Sequence, residues 1–200
     1  MTETTSHPTE VDPVARELLQ SVVDTARAIF GAEASSIFLL DEKADELVFQ
    51  AVSGQGEEFL VGTRFPAGRG IAGWVASTGE PMVVDDLSQN GSFARDLAES
   101  TKYVPDSLMA APLLHSSGVL LGVLEVLDPS PQARSSLSEL DLLSLFARQA
   151  ATALRAVLDR RALRGTEVPA AALVLDGLDP ADRAAGLRAL DAVRDLLLAP

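Results

Sequence analysis

Two pairs of short apolar runs, each closed by a polar turn, constrain this chain's fold more than any other feature. SSIFLLD and ELVFQAVSG are rich in β-forming residues and are joined by the polar DEKAD, which predicts a hairpin from Ser35 to Gly54. SLMAAPLLH and VLLGVLEVLD flank Ser116, Ser117 and Gly118 and predict a second hairpin. The sheet built from them is antiparallel. PMVVDDL reads as a further strand, and the polar stretch from Asn90 to Ser107 as a loop with one or two helical turns.

Helices bracket the hairpins. From Asp12 to Phe30, Val14, Ala15, Leu18, Leu19, Val22, Val23, Ala26, Ile29 and Phe30 fall on one stripe, and Gly31 follows as a stop. A long helix is predicted from Ser136 to Arg164. Ser136 and Glu139 have capping-box spacing, Leu140, Leu143, Phe146, Ala147, Ala150, Leu154 and Val157 form its stripe, and Gly165 is the expected end. Residues 1–11 read as a disordered leader, 12–165 as one domain and 166–200 as a helical tail. In that tail Asp179 and Pro180 look like N-cap and N1 of a last helix carrying Leu187, Leu190, Val193 and Leu197.

Gly68, Gly70 and Gly73 stand in G-x-G-x-x-G spacing, the dinucleotide-binding fingerprint. That fingerprint works only where a strand turns sharply into a crossover helix. EEFLVGTRFPA before Gly68 is broken by polar residues and Pro66, and IAGWVAST ends at Gly79, too soon for a parallel crossover. Asp85 and Asp86 come too early to serve as the ribose-binding acid, and inside an apparent strand. The run therefore reads as a glycine-rich helix entry, and neither NAD nor FAD is expected to bind.

Charge and cysteine content narrow the function classes. A net charge of −13 leaves no basic footprint for nucleic acid or an anionic membrane surface. With no cysteine there is no disulfide, thiolate metal site or cysteine nucleophile. The start MTETTSHPTEVDP lacks the basic and apolar regions of a signal peptide, and no apolar run reaches the ~18 residues of a membrane span, so a cytoplasmic address is expected. Only His7 and His115 could act as a histidine base. His7 lies in the leader, and His115 is expected at a solvent-facing hairpin tip, with haem ligation or a triad role as the alternative. Asp85 and Asp86, adjacent in a strand-like run, point to opposite faces and cannot share one site. No catalytic residue and no metal site are identified.

Taken together, ASSIFLLDEKADELVFQAVSG, then FPAGRGIAGWVASTGEPMVVDDL, then SLMAAPLLHSSGVLLGVLEVLD, then SLSELDLLSLFARQAATAL resemble the GAF domain family over roughly Asp12 to Gly165. The resemblance implies an α+β fold: a central antiparallel sheet, the first and last helices packed on one face, and a small-molecule pocket on the other. It also implies that the glycine-rich run enters a short helix beside that pocket. Members of the family bind cyclic nucleotides, bilins, haem or small metabolites, or bind nothing and serve as dimerisation platforms. The cyclic-nucleotide signature falls on Asp128, Pro129, Leu137, Asp141 and Leu142, where only Asp141 matches. Bilin attachment and the family's free methionine sulfoxide reductase branch both need cysteine, which is absent. The cofactor, if any, stays unknown.

Candidate ligand-binding residues follow. Gly70 and Ile71 open a short helix whose free N–H groups favour an anion, with Arg69 beside them; glycines placed for backbone geometry and a solvated Arg69 are the expectation, and an anion site the alternative. Phe65 and Trp74 either wall a pocket or fill the core, and core is the expectation. Phe93 and Tyr103 flank the polar segment that lids the pocket in the family. Alternation places Glu125 on one face with Leu121, Val123 and Leu127, where it is either solvated, paired with Arg, or turned into a pocket. A solvated or Arg-paired carboxylate is the expectation, and ligand contact the alternative. The overall expectation is a non-enzymatic sensor that dimerises through residues 12–30 and 136–164. Because 166–200 carries no kinase, cyclase or helix-turn-helix pattern, output is expected to pass to a partner protein.

Overall fold

The computed structural model describes residues 13–55, 59–100, 103–131 and 137–176. The leader 1–11, Ser136 and the tail positions Asp179, Pro180, Leu187, Leu190, Val193 and Leu197 lie outside them. The chain divides into two compact units, residues 1–157 and 158–200.

The elements are α1 (Pro13–Phe30), β1 (Ala34–Asp41), β2 (Glu46–Gly54), β3 (Arg64–Pro66), α2 (Gly70–Thr78), β4 (Met82–Val84), a 3-10 turn (Leu87–Gln89), α3 (Arg95–Ser100), β5 (Leu108–Leu114), β6 (Leu120–Leu127) and α4 (Leu137–Asp176). The six strands form one antiparallel sheet in the order β3-β2-β1-β6-β5-β4. Both predicted hairpins are present, joined side by side through β1 and β6.

Alternation along the strands feeds two cores. On one face, Leu19, Val23 and Phe30 of α1 and Leu143, Ala147 and Leu154 of α4 pack with Ile37, Met109, Leu113, Leu124 and Val126. On the other, Ile71 and Val75 of α2 pack with Phe38, Leu47, Phe49, Phe65, Leu108 and Val123. The α1 stripe splits in two: Ala15, Leu19, Val23, Ala26 and Phe30 are buried, whereas Val14 and Ile29 are at least half exposed. Eighteen residues of helix carry a wider apolar band than the sheet covers.

Four expectations change. The helix α4 passes Gly165 and runs to Asp176, because a single glycine costs a helix only about 1 kcal/mol against alanine and does not itself stop it. Strand β3 escapes the period-two pattern. It is three residues long and lies at the sheet edge, where Pro66 costs no ladder bond. Arg64 ties it to the first hairpin through Asp41 at 2.9 Å and Glu46 at 3.0 Å. The β4 strand stops at Val84, so Asp85 and Asp86 are not strand residues, and Asp86 instead caps the 3-10 turn by accepting from Ser88 N–H at 2.9 Å. Leu121 packs on the helix side and not with Glu125, because the ladder slips between Leu113 and Leu114 and leaves Leu121 as the extra, bulged residue.

Candidate functional site

On the face opposite α1 and α4, the sheet floor, the α2 entry and Phe93, Ala94, Ala98, Tyr103 and Pro105 line a cavity of about 90 Å³. This is several times the ~10–15 Å³ that one water needs. Phe65, Arg69, Gly70, Ile71, Phe93, Tyr103 and Glu125 all line it. Residues far apart in sequence meet here because β1, β6 and β5 are neighbours and α2 lies across them.

The aromatic wall is a cluster of three. Phe38 and Phe49 have ring centroids 4.4 Å apart, and Phe65 meets Phe38 edge-on at 5.2 Å. At the entry to α2, Gly70, which lines the cavity, takes φ +71°, a left-handed conformation that glycine adopts without a Cβ penalty.

Glu125 corrects the expectation of a solvated or Arg-paired carboxylate. It is 8% exposed; the Ser35 hydroxyl donates to its backbone carbonyl at 2.9 Å, and its carboxylate has no hydrogen-bond or ion-pair partner among the described residues. Desolvation alone pushes its carboxyl up to about 7. In the ladder its neighbours are Ser36 on β1 and Ala110 on β5. Both are small and buried, so the carboxylate lies open to the cavity between them. The Ser36 hydroxyl has no hydrogen-bond partner among the described residues either. Sequence reasoning missed Ser36, Phe38 and Phe49 because only the β1–β6, β1–β2 and β2–β3 registers set them beside Glu125 and Phe65.

Arg69 and Tyr103, two other polar side chains of the lining, are engaged. Arg69 Nη2 donates to both Asp96 oxygens, at 2.7 and 2.9 Å, so the lid helix α3 is pinned to the α2 entry. The Tyr103 hydroxyl donates to Asp128, and burial raises its pKa. Asp128, in a left-handed conformation at φ +46°, also accepts from the backbone N–H groups of Asp106 and Ser107 at 3.0 and 2.9 Å. It thereby holds the segment that carries Tyr103. This role for Asp128 was hidden behind its mismatch to the cyclic-nucleotide signature.

Trp74 neither fills the core nor lines the cavity: it is 36% exposed. The buried residues of α2 are Ile71, Ala72, Gly73 and Val75. At about 100° per residue the arc through Ile71, Val75 and Ala72 turns Trp74 well off the sheet. Trp74→Ala is therefore expected to cost about 1 kcal/mol in chemical denaturation, against the ~3–5 kcal/mol of a fully buried aromatic. A loss at the upper figure would restore the core assignment. His115 sits at the hairpin tip as expected, with Nδ1 2.8 Å from Ser117 Oγ, and does not line the cavity. No group of three metal-ligating side chains occurs among the described residues, and none of their helices is long and apolar enough to cross a membrane.

Known proteins match this architecture. A probable 3',5'-cyclic phosphodiesterase of Caenorhabditis elegans is 28% identical over 116 residues, 54% of this chain and 16% of that protein. A dual 3',5'-cyclic-AMP and -GMP phosphodiesterase of Takifugu rubripes is 34% identical over 65 residues, 32% of this chain and 7% of that protein. The chain thus corresponds to a small part of each of these relatives. Among solved structures, the GAF domain of an Acinetobacter phosphoenolpyruvate-protein phosphotransferase superposes with a TM-score of 0.62 at 20% identity, covering 72% of this chain and 84% of that one. The second GAF domain of DevS from Mycobacterium smegmatis gives 0.60 at 20% identity, covering 74% and 99%. These likenesses show the fold. The sequence model of the GAF domain matches residues 15–154, from α1 through all six strands into α4, and by that span the chain belongs to the GAF domain family.

Proposed function

We propose that this chain is a non-enzymatic, cytoplasmic sensor module in which a small molecule occupies the cavity on the β6 side of α2. Phe65, Arg69, Gly70, Ile71, Phe93, Tyr103 and Glu125 are its ligand-contacting residues, and Trp74 leaves that set because it lies outside the cavity. The observation that carries the reading is the buried Glu125, whose carboxylate has no partner among the described residues, in a mostly apolar cavity that also holds the Phe38, Phe49 and Phe65 cluster. Proteins rarely keep such a carboxylate buried without a use for it, because the charge costs several kcal/mol to desolvate. The phosphodiesterase relatives make a cyclic nucleotide one candidate ligand, but Asp141, the one signature match, is exposed on α4 away from the cavity, which does not favour it.

Occupancy is relayed by homodimerisation through residues 12–30 and 136–164, and onward to a partner protein. Ile29 on α1 and Leu145 on α4 are 50% and 53% exposed, and half-buried Leu18, Val22, Leu142 and Phe146 continue the apolar surface. A second copy closes such a surface by two-fold symmetry. Dimerisation without any ligand is the competing reading, favoured by the same exposed residues. Native mass spectrometry of the freshly purified chain tests both steps. The expected spectrum is a dimer carrying a small-molecule adduct. A bare dimer supports the ligand-free reading, and a bare monomer overturns the proposal.

A further inference from the structure

The cavity's charges do not balance. Among the described residues that line it, Arg69 is the single cation, and both oxygens of Asp96 already hold it at 2.7 and 2.9 Å. The Tyr103 hydroxyl is committed to Asp128. Glu125 lines the remaining space with no counter-charge among the described residues, beside the Ser36 hydroxyl, which has no bond among them either, and in one cavity with the rings of Phe38, Phe49 and Phe65. The sequence offers an anion site at the α2 entry, through Arg69 and the N–H groups that follow Gly70, as an alternative. With Arg69 neutralised by Asp96, the buried negative charge of Glu125 is the stronger uncompensated feature.

Two physical terms then favour the same ligand. A desolvated carboxylate without a partner is costly, and an incoming cation supplies the missing partner together with a charge-assisted hydrogen bond. The negative faces of aromatic rings attract the same charge, most strongly where water is excluded. The net charge of −13 adds a weak long-range attraction of the same sign. The cavity of about 90 Å³ limits the attached body to a compact one.

Resting on the reading of this cavity as a ligand site, we propose that it takes a small organic cation: a protonated amine on a compact apolar body. Its ammonium group bonds the Glu125 carboxylate and the Ser36 hydroxyl, and its body packs against Phe38, Phe49 and Phe65.

Three isosteres separate charge from shape: isobutylamine, isobutanol and isobutyrate. Each is titrated into isotope-labelled full-length protein at about pH 8, with Glu125 ionised, and backbone amide shifts are followed by NMR. Isobutylamine is expected to shift amides around Ser36, Ala110 and Glu125 and to bind at least about tenfold more tightly than the other two. Glu125→Gln is expected to remove that preference, and Ser36→Ala to weaken isobutylamine several-fold while leaving the carboxylate in place. Equal binding of isobutanol, tighter binding of isobutyrate, or full retention by Glu125→Gln overturns the cation assignment while leaving the ligand site standing. The absence of shifts around the cavity with all three probes overturns both.

Discussion

Glu125→Gln is expected to change how the protein's stability depends on pH more than how it folds. Burial disfavours the charge of the wild-type carboxyl and pushes it up to about 7 in the folded chain, from the ordinary 4.5 to which it returns once unfolded. Below both values the group is neutral in each state and contributes no difference. Between them the folded state holds a proton that the unfolded state has released, so stability falls as pH rises. Above about 7 the folded chain must carry a buried, unpaired carboxylate and the loss is complete. Over this window the loss amounts to about 3 kcal/mol. The other titratable groups that line the cavity do not cross this range, since Arg69 stays cationic and the Tyr103 hydroxyl, its pKa raised, stays neutral. Urea unfolding of both proteins at pH values near 4.5 and 8 measures the effect. The variant should gain about 3 kcal/mol on the wild type between the two conditions, and a constant difference would mean that Glu125 is not desolvated as described.

In the proposed site the same carboxylate would give a ligand its leverage: a partner that keeps Glu125 ionised would remove the penalty of its burial, so binding and stability would be linked through one group. Ser36 and Ala110, its small ladder neighbours, crowd the side chain little, and Arg69 and the Tyr103 hydroxyl are bonded to Asp96 and Asp128.

Local pattern makes the sheet and its helices legible in the sequence. The hairpins declare themselves because alternation and turn residues sit within a few positions of each other, and Leu143, Ala147, Ala150 and Leu154 mark the buried face of α4 by spacing alone. Seven of the eight candidate site residues reach one cavity because family resemblance orders the segments that surround it. What the sequence hides depends on register and rotation. Glu125 reads as a polar residue in a strand until the β1 and β5 neighbours are known to be Ser36 and Ala110. Trp74 reads as core because size suggests burial, while the helical angle that exposes it depends on which side of a nine-residue helix meets the sheet. Strand β3 hides for another reason: three residues cannot show a period.

Of the glycines in the dinucleotide-like spacing, Gly73 is expected to be the least replaceable for packing reasons. A Cβ placed there would lie 2.5 Å from the carbonyl carbon of Gly68 and 2.6 Å from the oxygen of Ala67. Both are backbone atoms of the loop that feeds α2, and Gly73 N–H itself bonds back to Arg69 O at 3.0 Å. Neither partner can swing aside as a side chain would. The helix must lift off the loop, and Ile71 and Ala72, which line the cavity, must move with it. Gly73→Ala should therefore cost about 3 kcal/mol, the upper end of ordinary overpacking, and lower the unfolding midpoint by roughly 6–12 °C in a chain of this size. Gly68→Ala is the control, since a Cβ there meets nothing within 4 Å, and it should leave the midpoint unchanged. A dinucleotide site would require the first glycine for its tight turn as well as the third for packing. Calorimetric scans of the two variants thus separate the explanations: loss at Gly73 alone marks a packed helix entry, whereas equal loss at Gly68 would mean that the first glycine carries a constraint of its own.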